Sequence, residues 1–176
     1  LGVFDSVRNF FSKETGLNKS MFSYNSKGAC PNCAGKGYIK TELAFMGDFS
    51  QICEVCHGKR YKQEVLNATI NGYSIADFLD LTVDEGITFF DTETDIKSKL
   101  QSISKTGLNY MTLGQPLSTL SGGEIQRVKL GQHLDENVKD SIFIFDEPTT
   151  GLHESDIPVL MKCFDDLIEQ NNTVIL

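Results

Sequence analysis

Apolar residues recur at helical spacing at the start of the chain. In GVFDSVRNFFSK, Val3, Val7 and Phe10 or Phe11 fall on one side and the pattern ends near Gly16, which predicts a short helix. Between Gly28 and Tyr61 that periodicity gives way to Cys, Gly and Lys, with YIKTELAF reading as a strand inside the segment. Helical texture then resumes: Ser74 can cap IADFLDL, Thr82 can cap VDEGITFF, and DIKSKLQSISKTG closes on Gly107 as a C-cap. A further helix is expected from Ser121. SIFIFDE, an apolar run bounded by polar residues, predicts a buried strand, SDIPVLMKCFDDLIEQ a helix, and NNTVIL the start of another strand. Strand, helix, strand implies an α/β class with parallel pairing. Four segments follow: a helical lead-in (1–27), a cysteine module (28–62), a mainly helical part (63–118) and an α/β part (119–176).

With 176 residues, 40% of them hydrophobic, the chain can bury a core. No apolar run approaches the roughly 18 residues needed to span a bilayer, and LGVFDSVRNF lacks the basic and apolar regions of a signal peptide. A cytoplasmic location with no membrane partner is expected. Because the chain opens on Leu1 and stops inside NNTVIL, it is expected to be a fragment of something longer. Net charge is −8, unevenly spread: residues 1–62 hold nine Lys/Arg against five Asp/Glu, and residues 63–176 seven against nineteen. Contact with nucleic acid is therefore sought before residue 63, although charge also drifts along chains without function.

Four of the five cysteines fall as Cys30-x2-Cys33 and Cys53-x2-Cys56, separated by nineteen residues. CPNCAGKGY and CEVCHGKRY share C-x2-C-x-G-K-x-Y, so each copy reads as one knuckle of a closed, four-sulfur structural zinc site. Two disulfides are the alternative, disfavoured by the lack of secretory features. Catalytic zinc is disfavoured because four thiolates leave no position for water. His57 reads as a neighbouring loop residue and Cys163 as a buried small hydrophobe. Lys27, Lys36, Lys40, Lys59, Arg60 and Lys62, interleaved with Tyr38, Phe45, Phe49 and Tyr61, suit nucleic-acid contact. They suit equally the solubility and packing of a small metal module.

Asp146 and Glu147 follow the SIFIF run, where α/β folds bind ligands at strand ends. In a phosphate-cleaving site the first would hold Mg2+ and the second would orient or deprotonate the attacking water. Ser121, Gly122, Gly123 and Glu124 form the capping-box pattern S-x-x-E. A structural cap accounts for Ser121 and Glu124. It does not account for two glycines, each costing up to about 1 kcal/mol in a helix interior, and two glycines at a helix start expose amides to an anion. No G-x4-G-K-[ST] phosphate loop occurs.

Together, LSGGEIQRVKL and FIFDEPTTGLH resemble the signature helix, Walker B strand and D-loop of ABC ATPases. FSYNSKGACPNCAGKGYIKTEL, CEVCHGKRY, SIADFLDLTVDEGITFF and LNYMTLGQPLSTLSGGE extend the resemblance over nearly the whole chain to the C-terminal nucleotide-binding half of the UvrA family. The resemblance implies a partial ABC-ATPase domain carrying an inserted zinc module and a helical subdomain. It implies an ATP-hydrolysing, DNA-binding protein of nucleotide excision repair, with damaged duplex, UvrB, a second nucleotide-binding half and a second copy of itself as partners. Ser121, Gly122 and Gly123 would touch the γ-phosphate of ATP on the facing half. Asp146 would serve Mg2+, Glu147 the hydrolytic water, and His153 would lie in the D-loop. Cys30, Cys33, Cys53 and Cys56 would bind zinc, with Lys59 and Arg60 as candidates for DNA phosphate contact. The family's P-loop and Q-loop would precede residue 1 and its switch histidine would follow Leu176, so the isolated chain is expected to be inactive as an ATPase. ELAFMGD (42–48) and GQHLDENVKD depart from the family pattern. A UvrA-like paralogue in antibiotic resistance and, from CAGKGY, a DnaJ-type zinc-knuckle module are the alternatives.

Overall fold

A computed structural model describes residues 2–43, 47–136, 138–152, 154 and 156–176, which form two compact units, Phe4–Leu79 and Asp80–Leu176 (the latter with the first three residues). The first unit opens with α1 (Val3–Thr15), whose Val7 and Phe11 are buried as the spacing predicts. Phe11 lies 5.5 Å, centroid to centroid, from Phe22 and 6.3 Å from Phe78, so a small aromatic core closes this unit. Tyr61 joins it, its hydroxyl donating to the Phe22 carbonyl at 3.3 Å.

The predicted strand forms as β1 (Tyr38–Leu43), and the end assigned to Ala44 and Phe45 lies outside the described residues. Its partner β2 (Gly47–Ile52) pairs antiparallel, Tyr38 opposite Ile52 and Leu43 opposite Gly47. Two short helices follow, α2 (Gln63–Asn67) and α3 (Ile75–Asp80), around the tight antiparallel pair β3 (Thr69–Ile70) and β4 (Tyr73–Ser74). Ser74 caps α3: its hydroxyl accepts the Asp77 N–H, and Asp77 accepts from both the Ser74 amide and hydroxyl.

In the second unit, α4 (Val83–Phe89) starts on a complete Thr82/Glu85 capping box. Next, α5 (Thr94–Ile103) ends through a wide turn in which Gly107 takes φ 77°, a left-handed conformation that glycine adopts at no steric cost. The long helix α6 (Gly122–Glu136) crosses α5 at close range, since a Cβ on Gly131 would stand 3.0 Å from the Ser102 carbonyl oxygen. Strands β5 (Ile142–Ile144) and β6 (Thr173–Ile175) pair in parallel around α7 (Ile157–Glu169), the α/β arrangement the pattern predicts. Leu130, Leu160, Cys163, Phe164 and Leu167 form the core beneath them, with Phe143, Phe145 and Val174 packed against it.

One expectation fails. β5 is not a buried strand: Ile142 and Ile144 are 68% and 75% exposed, while Phe143 and Phe145 turn inward. An apolar run reports that a strand is compatible with burial on both faces. Among the described residues β5 and β6 form a two-stranded sheet, so only one face is covered.

Candidate metal centre and carboxylate turn

The two cysteine knuckles are the same backbone built twice. Ala34 and His57 share φ near 50° (49° and 51°), Gly35 and Gly58 follow at 78° and 86°, and Gly37 and Arg60 at 83° and 71°. Cys30 N–H donates to the Arg60 carbonyl at 2.8 Å and Cys53 N–H to the Gly37 carbonyl at 3.0 Å, a reciprocal exchange between equivalent positions. The internal repeat thus becomes a local twofold pseudosymmetry that aims both knuckles at one point. Glycine is needed for contact as well as conformation, since a Cβ on Gly37 would lie 2.7 Å from the Gly58 carbonyl.

All four Sγ atoms lie within 4.8 Å of one another, and all four cysteines are buried. Cys33 and Cys56 sulfurs are 3.6 Å apart and those of Cys30 and Cys53 4.0 Å, too far for a disulfide near 2.05 Å. A tetrahedral ion with Zn–S of about 2.3 Å has edges of about 3.8 Å, so the set fits zinc. The sulfurs are also prepared for negative charge. The Gly37 N–H donates to Cys33 Sγ at 3.2 Å and the Asn32 amide to Cys53 Sγ at 3.3 Å. Asn32 lowers the Cys53 thiol to about 6, whereas burial, reinforced by the other sulfurs, pushes Cys56 up to about 12. The opposed shifts mean that the four sulfurs cannot all be thiolates on their own, and that a cation among them would let them be. His57 is exposed in the position equivalent to Ala34 and is not a member of the four.

Lys59 and Arg60 are both engaged within their own unit. Lys59 Nζ lies 2.7 Å from Asp77 Oδ1, and the Arg60 guanidinium sits 5.3 Å from the centre of the Tyr24 ring. The composition of the module could not reveal either partner.

In the second unit Ser121 precedes α6 and makes the capping box: Glu124 N–H donates to Ser121 Oγ at 3.2 Å, and Ser121 N–H to Glu124 Oε2 at 2.8 Å. Gly122 is exposed, with no atom within 4 Å of where a Cβ would sit. Gly123 differs, because its Cβ would stand 2.7 Å from the Thr150 carbonyl oxygen. Asp146 and Glu147 follow β5 in an exposed turn, with Glu147 left-handed at φ 45°. The chain thus brings the helix start and the two carboxylates side by side. His153 lies outside the described residues. Cys163 is buried and donates to the Lys105 carbonyl at 2.9 Å, and burial raises its thiol to about 11, so it is inert packing.

No family model matches the chain. UvrABC system protein A of Bacillus subtilis (strain 168) is 47% identical over an alignment of 182 residues that takes in 99% of this chain and 19% of that protein. The Staphylococcus aureus (strain COL) protein of the same name is 48% identical with the same coverage. The crystal structure of UvrA2 from Deinococcus radiodurans superposes with a TM-score of 0.88 at 42% identity, covering 99% of this chain and 22% of that one. The chain belongs to the UvrA family. It spans about a fifth of the length of the curated relatives it matches.

Three residues of this UvrA-family chain escaped sequence reasoning. Arg127, in the middle of IQRVKL, is only 1% exposed and donates to the Pro148 carbonyl at 3.4 Å. Its neighbour Gln126 donates to the Asp146 carbonyl at 3.1 Å, and Tyr110 donates to Glu124. Their spacing relative to Gly123, three and four residues on, is the signal that could have placed Gln126 and Arg127 on one helix face.

Proposed function

We propose that this chain is part of a UvrA-type ATPase that binds DNA and recognises lesions in nucleotide excision repair, with UvrB, a second nucleotide-binding half and a second copy as partners. The observation that carries this reading is the 47% identity to UvrABC system protein A over 99% of this chain, and the packing of Gly123 onto Thr150, which sets LSGGE against DEPTTG, supports its ATPase part. It supports a partial ABC-ATPase core with the cysteine module inserted ahead of it and helices between, divided as 1–27, 28–62, 63–118 and 119–176.

In that setting Ser121, Gly122 and Gly123 present hydroxyl and amide donors to a γ-phosphate on the facing half, where a helix start favours an anion. Asp146 would hold Mg2+, which supplies charge neutralisation when bound. Glu147 orients the attacking water or takes its proton, and His153 is assigned to the interface between halves. Cys30, Cys33, Cys53 and Cys56 hold zinc as a structural ion. Lys59 and Arg60 are assigned to DNA phosphates. Lys59 would exchange Asp77 for a phosphate at little cost, since an exposed ion pair is worth at most about 1 kcal/mol.

The deciding experiment uses the full-length protein. Modified duplex should be retained more tightly than unmodified duplex in a mobility-shift assay, and Glu147→Gln should abolish ATP turnover while sparing ATP binding. Equal affinity for both duplexes would sink the repair reading. A paralogue acting in antibiotic resistance is told apart by its failure to complement an excision-repair-deficient strain.

A further inference from the structure

Helix α6 grips the turn that carries the two carboxylates at three points along one face. Gly123 admits the Thr150 carbonyl oxygen to a position a Cβ could not share, Gln126 Nε2 holds the Asp146 carbonyl at 3.1 Å, and Arg127 Nη1 holds the Pro148 carbonyl at 3.4 Å. These carbonyls belong to alternate residues of one turn. The turn also closes on itself, since Thr150 N–H donates to the Glu147 carbonyl at 3.0 Å and Thr150 Oγ1 to Glu147 Oε2 at 3.2 Å. The Arg127 guanidinium also interacts with the Glu124 carboxylate and the Tyr110 hydroxyl, which offsets part of the cost of its burial, yet a leucine would fill the same helix face with no charge to compensate. What an arginine and a glutamine add is direction: each fixes a particular carbonyl, and so the orientation of the peptide that carries the neighbouring carboxylate.

We infer that Gln126 and Arg127 are positioning residues that make the start of α6 and the Asp146–Glu147 turn a single rigid piece. A phosphate engaging Ser121 and Gly122 from the facing half then displaces Glu147 of this chain as well. Each nucleotide site is thereby coupled to the other through the first two turns of one helix. The inference rests on the ATPase reading given above.

The test is steady-state ATP hydrolysis by the full-length protein carrying Gln126→Met, Arg127→Met, Arg127→Lys or Glu147→Gln. Met keeps length while removing the donors. Both Met variants should lower kcat by about tenfold to a hundredfold with KM for ATP unchanged, as misplacement of a catalytic group does. Arg127→Lys, which retains one donor, should recover part of the loss. Absence of ATP turnover by the unaltered full-length protein would refute the ATPase reading itself, and a Glu147→Gln protein with wild-type turnover would refute the role given to Glu147 on which the inference depends. If Glu147→Gln is inactive but both Met variants match wild type, the coupling is wrong. It is equally wrong if their activity falls only in proportion to folded protein, measured by circular dichroism at the assay temperature.

Discussion

The Tyr110 hydroxyl donates to Glu124 Oε1 at 2.8 Å while the other oxygen of that carboxylate accepts the Ser121 N–H, so one side chain closes the start of α6 from two directions. The Ser121 amide first, and the Tyr110 hydroxyl second, hold the Glu124 carboxyl below its usual range. A carboxyl depressed in the folded state contributes stability that is complete at neutral pH and is lost as pH falls through its folded value. Tyr110→Phe should therefore cost about 0.5 kcal/mol at pH 7, the low end for a hydrogen bond because the pair is exposed. The difference from wild type should shrink on acidification. Urea midpoints of both proteins at pH 7 and pH 3 measure it, and a gap that widens at low pH would contradict the assignment.

The two glycines of LSGGE should respond oppositely to alanine. At Gly122 nothing stands within 4 Å of a Cβ, and alanine is the better helix former, so Gly122→Ala should keep or raise stability by up to about 1 kcal/mol. At Gly123 the methyl would stand 2.7 Å from a backbone oxygen that no side-chain rotation can move aside. Gly123→Ala should displace the carboxylate turn and cost about 1–3 kcal/mol. Thermal melts of the two variants, compared with wild type, distinguish them.

Metal removal should act on one unit first. Among the described residues the buried cluster at the heart of the cysteine module consists of Cys30, Cys33, Cys53 and Cys56, so without a cation to bond the four sulfurs it has little apolar core to hold it. One zinc per chain is the expected stoichiometry. Chelation, or Cys53→Ser, should raise amide exchange across residues 28–62 while α6 and α7 keep their protection. Hydrogen exchange read by mass spectrometry reports this, and uniform loss of protection along the chain would count against a local role for the metal.

How legible these features were in the sequence follows from how local they are. The caps at Ser74, Thr82 and Ser121 were readable because each is closed by a residue three positions on. The paired knuckles were readable because a spacing of two residues between thiols is itself a geometric statement. β2 was not, since GDFSQI carries Gly, Asp and Ser and becomes a strand through its pairing with β1. Nor was the exposure of Ile142 and Ile144, because a run of apolar residues does not say how many neighbours its sheet has. Arg127 was invisible for a third reason: its burial depends on the Pro148 carbonyl, twenty-one residues away in sequence.

Asn172 supplies a last test, of how the parallel strands are held. Its side chain is nearly buried and makes three bonds, donating from Nδ2 to the Val138 carbonyl at 2.8 Å and the Leu167 carbonyl at 3.0 Å, and accepting the Ser141 N–H at 3.0 Å. It thus ties the end of α7 to the segment leading into β5. Asn172→Leu takes the side-chain partner from the Val138 carbonyl and the Ser141 N–H, while the Leu167 carbonyl keeps the backbone N–H of residue 172, and it should cost about 2 kcal/mol, since each unsatisfied buried group costs about 1–3 kcal/mol. Asn172→Asp keeps the acceptor for Ser141 but sets a carboxylate against two carbonyl oxygens. That environment favours the neutral form and raises the folded-state pKa, so the penalty is present at neutral pH and is relieved when the acid is protonated and can donate. Relative to wild type, the urea midpoint of Asn172→Asp should accordingly recover between pH 7 and pH 4, while that of Asn172→Leu should stay displaced by the same amount. Parallel behaviour of the two variants would show that filling the space, and not the directed hydrogen bonds, is what Asn172 contributes.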